Sequence, residues 1–570
     1  MASRNGAVAP IEYPPPVDSA AEFTGPPTDP EDERIEVGVA IVGGGPAGLA
    51  CANRLLQLLA EDEQLAEQLG EVPVAVVEKG KACGAHALSG AIMRPSGVEE
   101  LFPGIRAGDF PNFGKIDREA VFLMANARHA LRIPVPPPFR NHGNYVVSVA
   151  ELSRWLATRA EEAGAYVLTE TSATKLLVSD GVVRGVRSGD KGRGRDGEEL
   201  ANFEPGSDLV AKATVLAEGT WGHLTGAAIA RFGLASDPQE WALGVKEVWE
   251  LAKPLGRAMH TLGWPLRFEA EWGEFGGSWI YPMNREGEAP KVSIGFVCGL
   301  NHTDATLSVH DVLQEFKTHP TIRKILEGGT RVAWGAKAIP EGGWWAMPTL
   351  HAPGLAIAGD GGGMVNVPEL KGVHYAIHAG ILAAEHIVAA LRQGSTDLSG
   401  YDEAVRASRI GAELYRSRNM KQPFRHGFLA GGAITNAMVA TGGRLPGGHW
   451  PTHPDADAPV RIGDRHTTYP RPDGTLTFDK LSSVYISGNQ TRDDAPNHIR
   501  VQRNVPRALA ETWKWMCPAG VYEIPDDAPA EGNVDITINP SNCVQCGAIT
   551  AKGGRLTPPE GGDGPLYTIT

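Results

Sequence analysis

Residues 37–48 of the chain read Val-Gly-Val-Ala-Ile-Val-Gly-Gly-Gly-Pro-Ala-Gly, and this stretch predicts the fold. Its first half is apolar and largely β-branched, as expected for a strand that is buried on both faces. Gly43, Gly45 and Gly48 follow in the G-x-G-x-x-G spacing and lead into a helix with an apolar face. Gly43 permits a tight turn, Gly45 lets the backbone approach a pyrophosphate, and Gly48 lets the helix close on the sheet. The stretch therefore predicts a dinucleotide-binding loop, with the phosphates at the helix amino terminus.

A second strand and an acidic residue extend this pattern. Residues 73–77 form an apolar run that ends in Glu78, the position at which a carboxylate accepts a ribose hydroxyl. The separation of Gly48 and Glu78 exceeds the usual ~20 residues, because a polar helical extension over residues 61–71 intervenes. Strand, helix, strand and acid together favour a bound dinucleotide over a coincidental glycine-rich turn.

Two later strands indicate that the dinucleotide is FAD rather than NAD. One ends in Ala217 and Gly219, small residues that we expect to contact the adenosine half. The other ends in Gly359 and Asp360 and leads into a helix predicted over residues 367–387. Asp360 would accept a ribitol hydroxyl while the helix amino terminus faces the phosphate or the flavin ring. The alternative is that Asp360 is a simple helix-proximal cap.

Composition and charge narrow the class of protein further. A chain of 570 residues is too long for one compact core, and this length suggests roughly three or four lobes. The net charge of −14 argues against a nucleic-acid partner, which would need clustered Lys and Arg. No apolar run is long enough for a membrane-spanning helix. Residues 1–34 are rich in Pro and acidic residues, which predicts a disordered leader on a protein that is not exported.

Further segments of the chain carry a resemblance to a known family, and two of them are far more specific than the nucleotide loop. They are residues 84–90, 143–145, 217–219, 222–224, 263–266, 276–278, 342–343, 366–368, 371–372, 517–523 and 559–562. Cys-Pro-Ala-Gly-Val-Tyr-Glu over residues 517–523 and Pro-Glu-Gly-Gly over residues 559–562 are the most specific. From about Ile35 to the carboxyl terminus, the sequence closely resembles the electron transfer flavoprotein–ubiquinone oxidoreductase family.

The resemblance implies an architecture that combines α/β and α+β folds. It consists of a Rossmann-like FAD-binding domain, an interleaved quinone-binding sheet domain and a C-terminal ferredoxin-like iron–sulfur domain. The expected boundaries are the leader at 1–34, the FAD-binding domain at 35–240 and 346–450, the quinone-binding domain at 241–345, and the iron–sulfur domain at 451–570.

The resemblance also implies an activity and partners. Reduced electron transfer flavoprotein would give up electrons one at a time, and two would pass to ubiquinone or menaquinone in a membrane. The cofactors supply this chemistry, so we assign no catalytic side chain. Attachment to the membrane surface would be monotopic. The high Ala and Gly content suggests a bacterial source, and hence the cytoplasmic face of the plasma membrane.

Glycines and apolar segments are the candidates for the quinone and membrane contacts. The resemblance places the quinone head group against Gly276 and Gly277, and a strand bulge is the alternative. Residues 83–104 and 424–440 are the two segments that could dip into the membrane. The second is small and apolar and has Arg418, Lys421, Arg425 and Arg444 around it, as suits an interfacial segment near anionic lipid. A buried core helix is the alternative.

The cysteines near the carboxyl terminus depart from the family pattern. In the family, four thiolates hold a 4Fe-4S cluster, and Cys517, Cys543 and Cys546 stand at three of the four positions. The fourth position is Ile549, which cannot bind iron. Three interpretations remain: a cluster with a substitute ligand, a three-iron cluster, or a decayed site. Taken alone, the C-x-x-C pair would be interpreted as a zinc site or as a chance match.

Two other functions compete with the quinone oxidoreductase. A related flavoprotein that lacks a cluster, such as a geranylgeranyl reductase, is favoured slightly by Ile549 and disfavoured by the retained Cys517 segment. A non-catalytic flavin-binding partner of electron transfer flavoprotein would keep the fold without turnover. Quinone-dependent oxidation of reduced electron transfer flavoprotein distinguishes the three.

Overall fold

The computed structural model describes residues 6–570, and a nine-stranded sheet carries the predicted nucleotide loop. Its strands are Thr24–Gly25, Ile35–Val42, Val74–Val77, Tyr166–Leu168, Ala173–Ser179, Val182–Ser188, Asp208–Leu216, His351–Ala352 and Leu355–Ile357. Ile35–Val42 runs parallel to Val74–Val77 on one side and to Asp208–Leu216 on the other. Leu355–Ile357 is also parallel to Asp208–Leu216. The four strands predicted to surround the dinucleotide are therefore neighbours whose carboxyl ends meet at one edge.

Helices cover this first sheet, and two of them pack unusually closely. Pro46–Leu59 follows the glycine loop and lies against Val373–Arg392. A Cβ on Gly380 would stand 2.2 Å from the Ala47 carbonyl oxygen, so the contact requires glycine. The second helix begins six residues later than predicted, because Asn366 and Lys371 first pair through their backbones.

The Val373–Arg392 helix is the one within residues 6–570 that is long and apolar enough to cross a membrane. Its most apolar window is 67% buried inside the protein, which is typical of a core helix. Further helices are Glu63–Leu69, Ser96–Leu101, Val149–Glu162, His223–Phe232, Val309–Lys317, Pro320–Leu326, Ser399–Ala407, Arg409–Ser417 and Phe428–Ala440.

A second, seven-stranded sheet forms the middle of the molecule. In spatial order its strands are Thr330–Pro340, Trp241–Glu250, Lys291–Gly299, Gly276–Met283, Ala258–Gly263, Glu119–Met124 and Ala130–Ile133. The last two fall inside the predicted FAD segment 35–240, yet they pair with the second sheet. The two sheets are thus interleaved along the chain, as the resemblance implied, but the second sheet also takes two strands from outside the predicted segment 241–345.

The C-terminal region, residues 451–570, contains little regular structure. Its helices are Lys480–Ile486 and Arg507–Met516, and its strands pair two by two: Ile499–Arg500 with Arg555–Leu556, Asn504–Pro506 with Asn533–Asp535, and Tyr522–Glu523 with Thr537–Ile538. Buried side chains of this region share one apolar core with the second sheet. The region therefore packs as an extension of that core.

The amino-terminal segment that was predicted to be disordered is ordered over the residues that the structure describes. Residues 1–5 of the predicted disordered segment lie outside the described residues, whereas residues 6–34 are ordered. Thr24–Gly25 pairs with the edge of the first sheet, and Phe23 is buried against the same sheet. Asp29 pairs with Arg187 at 2.7 Å. One buried aromatic ring and an ion pair anchor a segment whose polar composition suggested disorder.

A buried ion pair attaches a helix to the second sheet. Glu247 is fully buried, and its carboxylate lies 2.7 Å from Lys317 Nζ and 3.5 Å from Arg331 Nη1. Trp249 donates a hydrogen bond to the same carboxylate at 2.7 Å. Burial alone would raise the pKa of Glu247, but Lys317 and Arg331 hold it below its ordinary value. The carboxylate is therefore charged and depends on these partners.

We expect Lys317→Met to destabilise the fold by about 3–5 kcal/mol, because it leaves a buried carboxylate without its nearest counter-charge. The matched control is Arg54→Met, which removes a half-exposed ion pair with Glu385 at 2.7 Å; that change should cost at most about 1 kcal/mol. Urea denaturation of the two variants and the wild type measures the difference. Equal midpoints for the two variants would contradict the role of the buried pair.

Candidate functional site

A large cavity, lined by residues of both sheets, has a volume of about 740 Å³. Among its lining residues are Gly43, Gly45, Glu78, Ala217, Gly219, Gly276, Gly277, Gly359 and Asp360. The structure therefore brings nine of the ten residues predicted to bind FAD or quinone to one cavity. The tenth, Gly48, is buried behind the loop.

The glycines of the nucleotide loop divide into two kinds. Gly43 has a φ of +110°, and a Cβ there would stand 2.3 Å from the Ala217 carbonyl oxygen. A Cβ on Gly48 would stand 2.1 Å from the Gly43 carbonyl oxygen. At Gly45, which caps the Pro46–Leu59 helix, a Cβ would meet nothing within 4 Å. Gly43 and Gly48 are required by the fold, whereas the open space at Gly45 fits an incoming pyrophosphate.

Glu78 is held against the loop by backbone groups. Gly44 N–H donates to Glu78 Oε2 at 2.8 Å, and Gly80 N–H donates to Oε1 at 2.6 Å. These bonds fix the carboxylate at the carboxyl end of its strand, next to the phosphate end of the loop. The carboxylate stands where the motif requires a ribose acceptor, and that role remains a prediction.

Asp360 lies in the 3-10 turn Gly359–Gly362, at the end of the Leu355–Ile357 strand. Burial raises the pKa of Asp360 to about 6, and the nearby Lys337 ammonium opposes that rise. Lys337 also lines the cavity, and it donates to the Gln545 carbonyl at 3.1 Å. Lys337 thus links the part of the cavity at Asp360 to the cysteine-bearing segment.

The predicted quinone glycines line the cavity, but the sheet alone already requires them. A Cβ on Gly276 would stand 2.0 Å from the Val297 carbonyl oxygen, and one on Gly277 would stand 2.8 Å from that of Thr261. Both clashes are with neighbouring strands. Packing therefore explains the glycines without a ligand, and their contact with quinone remains a prediction.

Sequence reasoning missed several polar residues that line the cavity. His260 Nε2 lies 2.7 Å from Tyr281 Oη, and burial lowers the pKa of His260 to about 3, so the ring is neutral. Glu341 and Lys421 form an ion pair at 3.0 Å. No motif or spacing relates the members of either pair, because each partner comes from a different part of the chain.

The helix Phe428–Ala440 lies at one end of the cavity and is largely exposed. Gly431 and Met438 are its only buried residues, and Leu429 is 77% exposed. Phe428, Leu429 and Val439 also line the cavity. An apolar helix that is exposed to solvent favours an interfacial segment over the core-helix alternative.

The other predicted membrane segment is wrong. Within residues 83–104, the apolar side chains Ile92, Met93, Val98 and Leu101 are buried in the protein core and cannot contact lipid. Lys421 is also buried rather than facing a membrane surface. Of the four basic residues predicted to surround the apolar helix, Arg425 and Arg444 are exposed and Arg418 is half-buried.

Three cysteines of the C-terminal region come together. Cys517 follows the helix Arg507–Met516, and Cys543 and Cys546 follow the 3-10 turn Pro540–Asn542. Burial raises the pKa of the Cys543 and Cys546 thiols, and the neighbouring thiols raise it further. Val521 N–H donates to Cys517 Sγ at 3.5 Å. Such N–H donors stabilise metal-bound thiolate sulfur.

Ile549 is buried and provides no ligand to this site. Its side chain faces Gly554 and Val501 in an apolar core. Within residues 6–570, no three His, Cys, Asp or Glu side chains are grouped as a site for a single metal ion. In an iron–sulfur cluster the cysteines bind different irons. Cys517, Cys543 and Cys546 stand at three of the four family positions, and the fourth position has no cysteine.

Two protein-family models match the chain. The model described as ETF-QO, ubiquinone-binding, matches residues 241–339, and the model described as electron transfer flavoprotein-ubiquinone oxidoreductase, 4Fe-4S, matches residues 474–568. Electron transfer flavoprotein-ubiquinone oxidoreductase of Pseudomonas aeruginosa is 37% identical and covers 94% of this chain and 99% of its own length. The mitochondrial protein of Rattus norvegicus is also 37% identical and covers 93% of this chain and 89% of its own.

The chain belongs to the electron transfer flavoprotein–ubiquinone oxidoreductase family. The predicted fold class, the oxidoreductase class, and FAD and a 4Fe-4S cluster as the family's cofactors are thereby confirmed. A solved geranylgeranyl bacteriochlorophyll reductase-like protein of Thermoplasma acidophilum has the same fold, with a TM-score of 0.54 and 15% identity over 72% of this chain and 92% of its own. At that identity the likeness shows the fold alone. The family match favours the quinone oxidoreductase over the polyprenyl reductase.

We expect Gly45→Val and Gly48→Val to fail in different ways. Gly45→Val leaves the apoprotein folded, because its side chain enters open space, but it obstructs the pyrophosphate. Gly48→Val displaces the helix from the loop and destabilises the protein itself. Flavin absorbance of the purified protein and thermal unfolding of the apoprotein separate the two effects. Gly256→Val, at an exposed glycine with open space around it, is the control.

We also expect iron to bind to the three-thiolate site after anaerobic reconstitution. Cys543→Ala should lose it, whereas Cys298→Ala, at a buried cysteine on the second sheet, should keep it. Low-temperature EPR then distinguishes the cluster types, since a three-iron cluster gives its signal when oxidised and a four-iron cluster when reduced. Absence of iron in the reconstituted wild type would show that the site has decayed.

Proposed function

We propose that the chain oxidises reduced electron transfer flavoprotein and reduces a quinone, ubiquinone or menaquinone, that is held in a membrane. The observation that carries this proposal is the shared cavity. It extends from the nucleotide loop at Gly43 to the exposed apolar helix Phe428–Ala440. A cavity with a nucleotide-binding loop and an exposed apolar wall suits a flavin that exchanges electrons with a lipid-soluble acceptor.

The protein's contribution is to bind and orient. Gly45 and the amino terminus of the following helix receive the pyrophosphate, Glu78 accepts a ribose hydroxyl, and Asp360 accepts a ribitol hydroxyl. FAD, when bound, exchanges single electrons with one partner and electron pairs with another. Ala217 and Gly219 leave room for the adenosine half because they have little or no side chain.

The acceptor end of the cavity is apolar and lies beside the exposed helix. Phe424 packs against Phe275 with ring centroids 4.6 Å apart, and Phe275 precedes the predicted quinone glycines Gly276 and Gly277. Phe428 packs against Phe268 at 5.1 Å. This aromatic cluster offers an apolar surface to the quinone ring and its isoprenoid tail.

The iron–sulfur region has no assigned step. Three thiolates and Ile549 do not complete a four-cysteine site, so the proposed reaction relies on the flavin end and the quinone end. Lys337 lies between the two regions and fixes the Gln545 carbonyl beside the cysteine segment.

The assay that tests this function follows quinone-dependent oxidation of reduced electron transfer flavoprotein. We expect turnover with a short-chain ubiquinone or menaquinone, and none with NADPH as the donor. Turnover with NADPH and a polyprenyl substrate would contradict the proposal and favour the reductase alternative. Absence of turnover with any quinone would favour a non-catalytic flavin-binding partner.

We further propose that the helix Phe428–Ala440 attaches the protein monotopically to the cytoplasmic face of a bacterial plasma membrane. Replacing Phe428, Leu429 and Ile434 with Ser should move the protein to the soluble fraction, because the apolar contact with the lipid is lost. Sedimentation with vesicles that contain anionic lipid measures binding.

Leu481→Ser with Tyr485→Ser is the matched control for the membrane test. These side chains are 59% and 88% exposed and lie on a different helix, outside the cavity. The control protein should sediment with vesicles as the wild type does. Unchanged binding of the Phe428, Leu429 and Ile434 variant would contradict the assignment.

A further inference from the structure

A buried chain of charged side chains forms part of the cavity wall, away from the nucleotide loop. Lys421 Nζ lies 3.0 Å from Glu341 Oε2 and 2.8 Å from Glu240 Oε2. All three residues are less than 10% exposed. Glu341 and Lys421 line the cavity, whereas Glu240 lies behind them. The three side chains therefore lead outward from the cavity wall.

Two further charged groups face this chain from the C-terminal region. Asp455 accepts a hydrogen bond from Trp241 N–H at 2.8 Å, and its carbonyl accepts one from Lys552 Nζ at 3.2 Å. Burial raises the pKa of Asp455 to about 8 against the pull of Lys421 and Lys552, and burial lowers that of Lys552 to about 8. Burial would also lower the pKa of Lys421, but Glu341, Glu240 and Asp455 raise it above its ordinary value.

The inner end of this row of charged side chains lies at the end of the cavity where the quinone is proposed to bind. Lys421 precedes Phe424 by three residues, and Phe424 packs on Phe275. Gly276 follows Phe275 directly and lines the same cavity as Glu341. The charged chain and the proposed quinone contacts therefore converge on one region.

The outer end of this row of charged side chains, at Glu240, contacts an exposed segment. Glu240 Oε1 accepts a hydrogen bond from the backbone N–H of His453 at 3.4 Å, and His453 is exposed. Glu240 thus stands between a solvent-exposed segment and the pair that lines the cavity. Three titratable side chains therefore lie between an exposed segment and the cavity.

The proposed reaction consumes protons as well as electrons. Reduction of one quinone takes up two electrons and two protons and forms one quinol, with two O–H bonds made. The electrons come from two molecules of reduced electron transfer flavoprotein through the flavin. Titratable side chains in the cavity wall can bring the protons to the quinone.

We propose that Glu341, Lys421 and Glu240 carry protons from the surface at His453 to the quinone oxygens, an inference that rests on the proposed function. Glu240 takes a proton from water beside His453. The Lys421 ammonium passes a proton to the Glu341 carboxylate while it takes another from Glu240, so Lys421 stays charged, and Glu341 then gives its proton to the reduced quinone oxygen. Two such passages form one quinol.

Glu341→Gln tests the inner step, because it keeps the shape but cannot relay a proton through a carboxylate. With reduced electron transfer flavoprotein and a short-chain ubiquinone, we expect kcat to fall about 100-fold, within the range that general acid catalysis contributes. KM should stay near the wild-type value. Turnover with ferricenium, an acceptor that takes one electron and no proton, should be unchanged.

Glu315→Gln is the matched control. It removes the charge of a carboxylate that is paired with the buried Arg465 at 2.7 Å but does not line the cavity. We expect its turnover with both acceptors to equal that of the wild type. Glu240→Gln is the second test variant, since it interrupts the outer step and leaves the Glu341–Lys421 pair intact. Glu240→Gln should likewise lose turnover with quinone and keep its turnover with ferricenium.

The solvent isotope effect on quinone turnover distinguishes proton transfer by Glu341 from a purely structural role, because a structural role would not change it. In Glu341→Gln, quinone turnover should slow further in D2O and recover with added formate, a small acid that can replace the missing donor. Equal loss with quinone and ferricenium, or full quinone turnover in both variants, would overturn the relay while leaving the proposed function standing. A wild type that reduces ferricenium but no quinone would overturn the proposed function and the relay together.

Discussion

Close approach of backbones at glycine is the constraint on which the rest of the structure depends. At Gly48 the first helix meets the turn that precedes it, and at Gly380 the core helix meets the first helix. In both places a single added carbon would stand about 2 Å from a carbonyl oxygen. Because neither contact can yield, strand, turn and two helices form a rigid unit. The open space at Gly45 is then a fixed receptacle rather than a flexible loop.

Because the two sheets are interleaved, the space at Gly45 forms one end of a longer cavity. The strands Glu119–Met124 and Ala130–Ile133 leave the first half of the chain to complete the second sheet. As a result the glycines of both sheets face a common space. The lining of that space combines apolar with charged side chains, and Glu341 and Lys421 form an ion pair in its wall. The apolar side chains suit a lipid-soluble acceptor, and the charged side chains can carry protons to it.

The cysteine site keeps three of the four cysteine positions of the family but lacks the fourth iron ligand. Cys517 and Cys543 are buried and receive backbone N–H donors, as cluster ligands do, and Cys546 is half-buried. Ile549 instead joins the apolar core against Val501. Because that packing is complete without a metal, the core does not depend on the fourth ligand. The Lys337 contact with the Gln545 carbonyl still ties the segment to the cavity.

The sequence by itself determined the nucleotide loop, its flanking strands, the family and the missing fourth cysteine, because each depends on residues that are adjacent or at fixed spacing. It could not determine that residues 6–34 are ordered, since contacts with distant residues anchor this segment: Phe23 is buried against the first sheet, Asp29 pairs with Arg187, and Val8 exchanges backbone hydrogen bonds with Val460. Nor could it determine that the residues around Ile92 are core, or that Lys421 faces Glu240 and Glu341 rather than lipid. Burial and ion pairing of distant residues arise only when the chain has folded, so tertiary structure alone decided the exposed helix and the charged path.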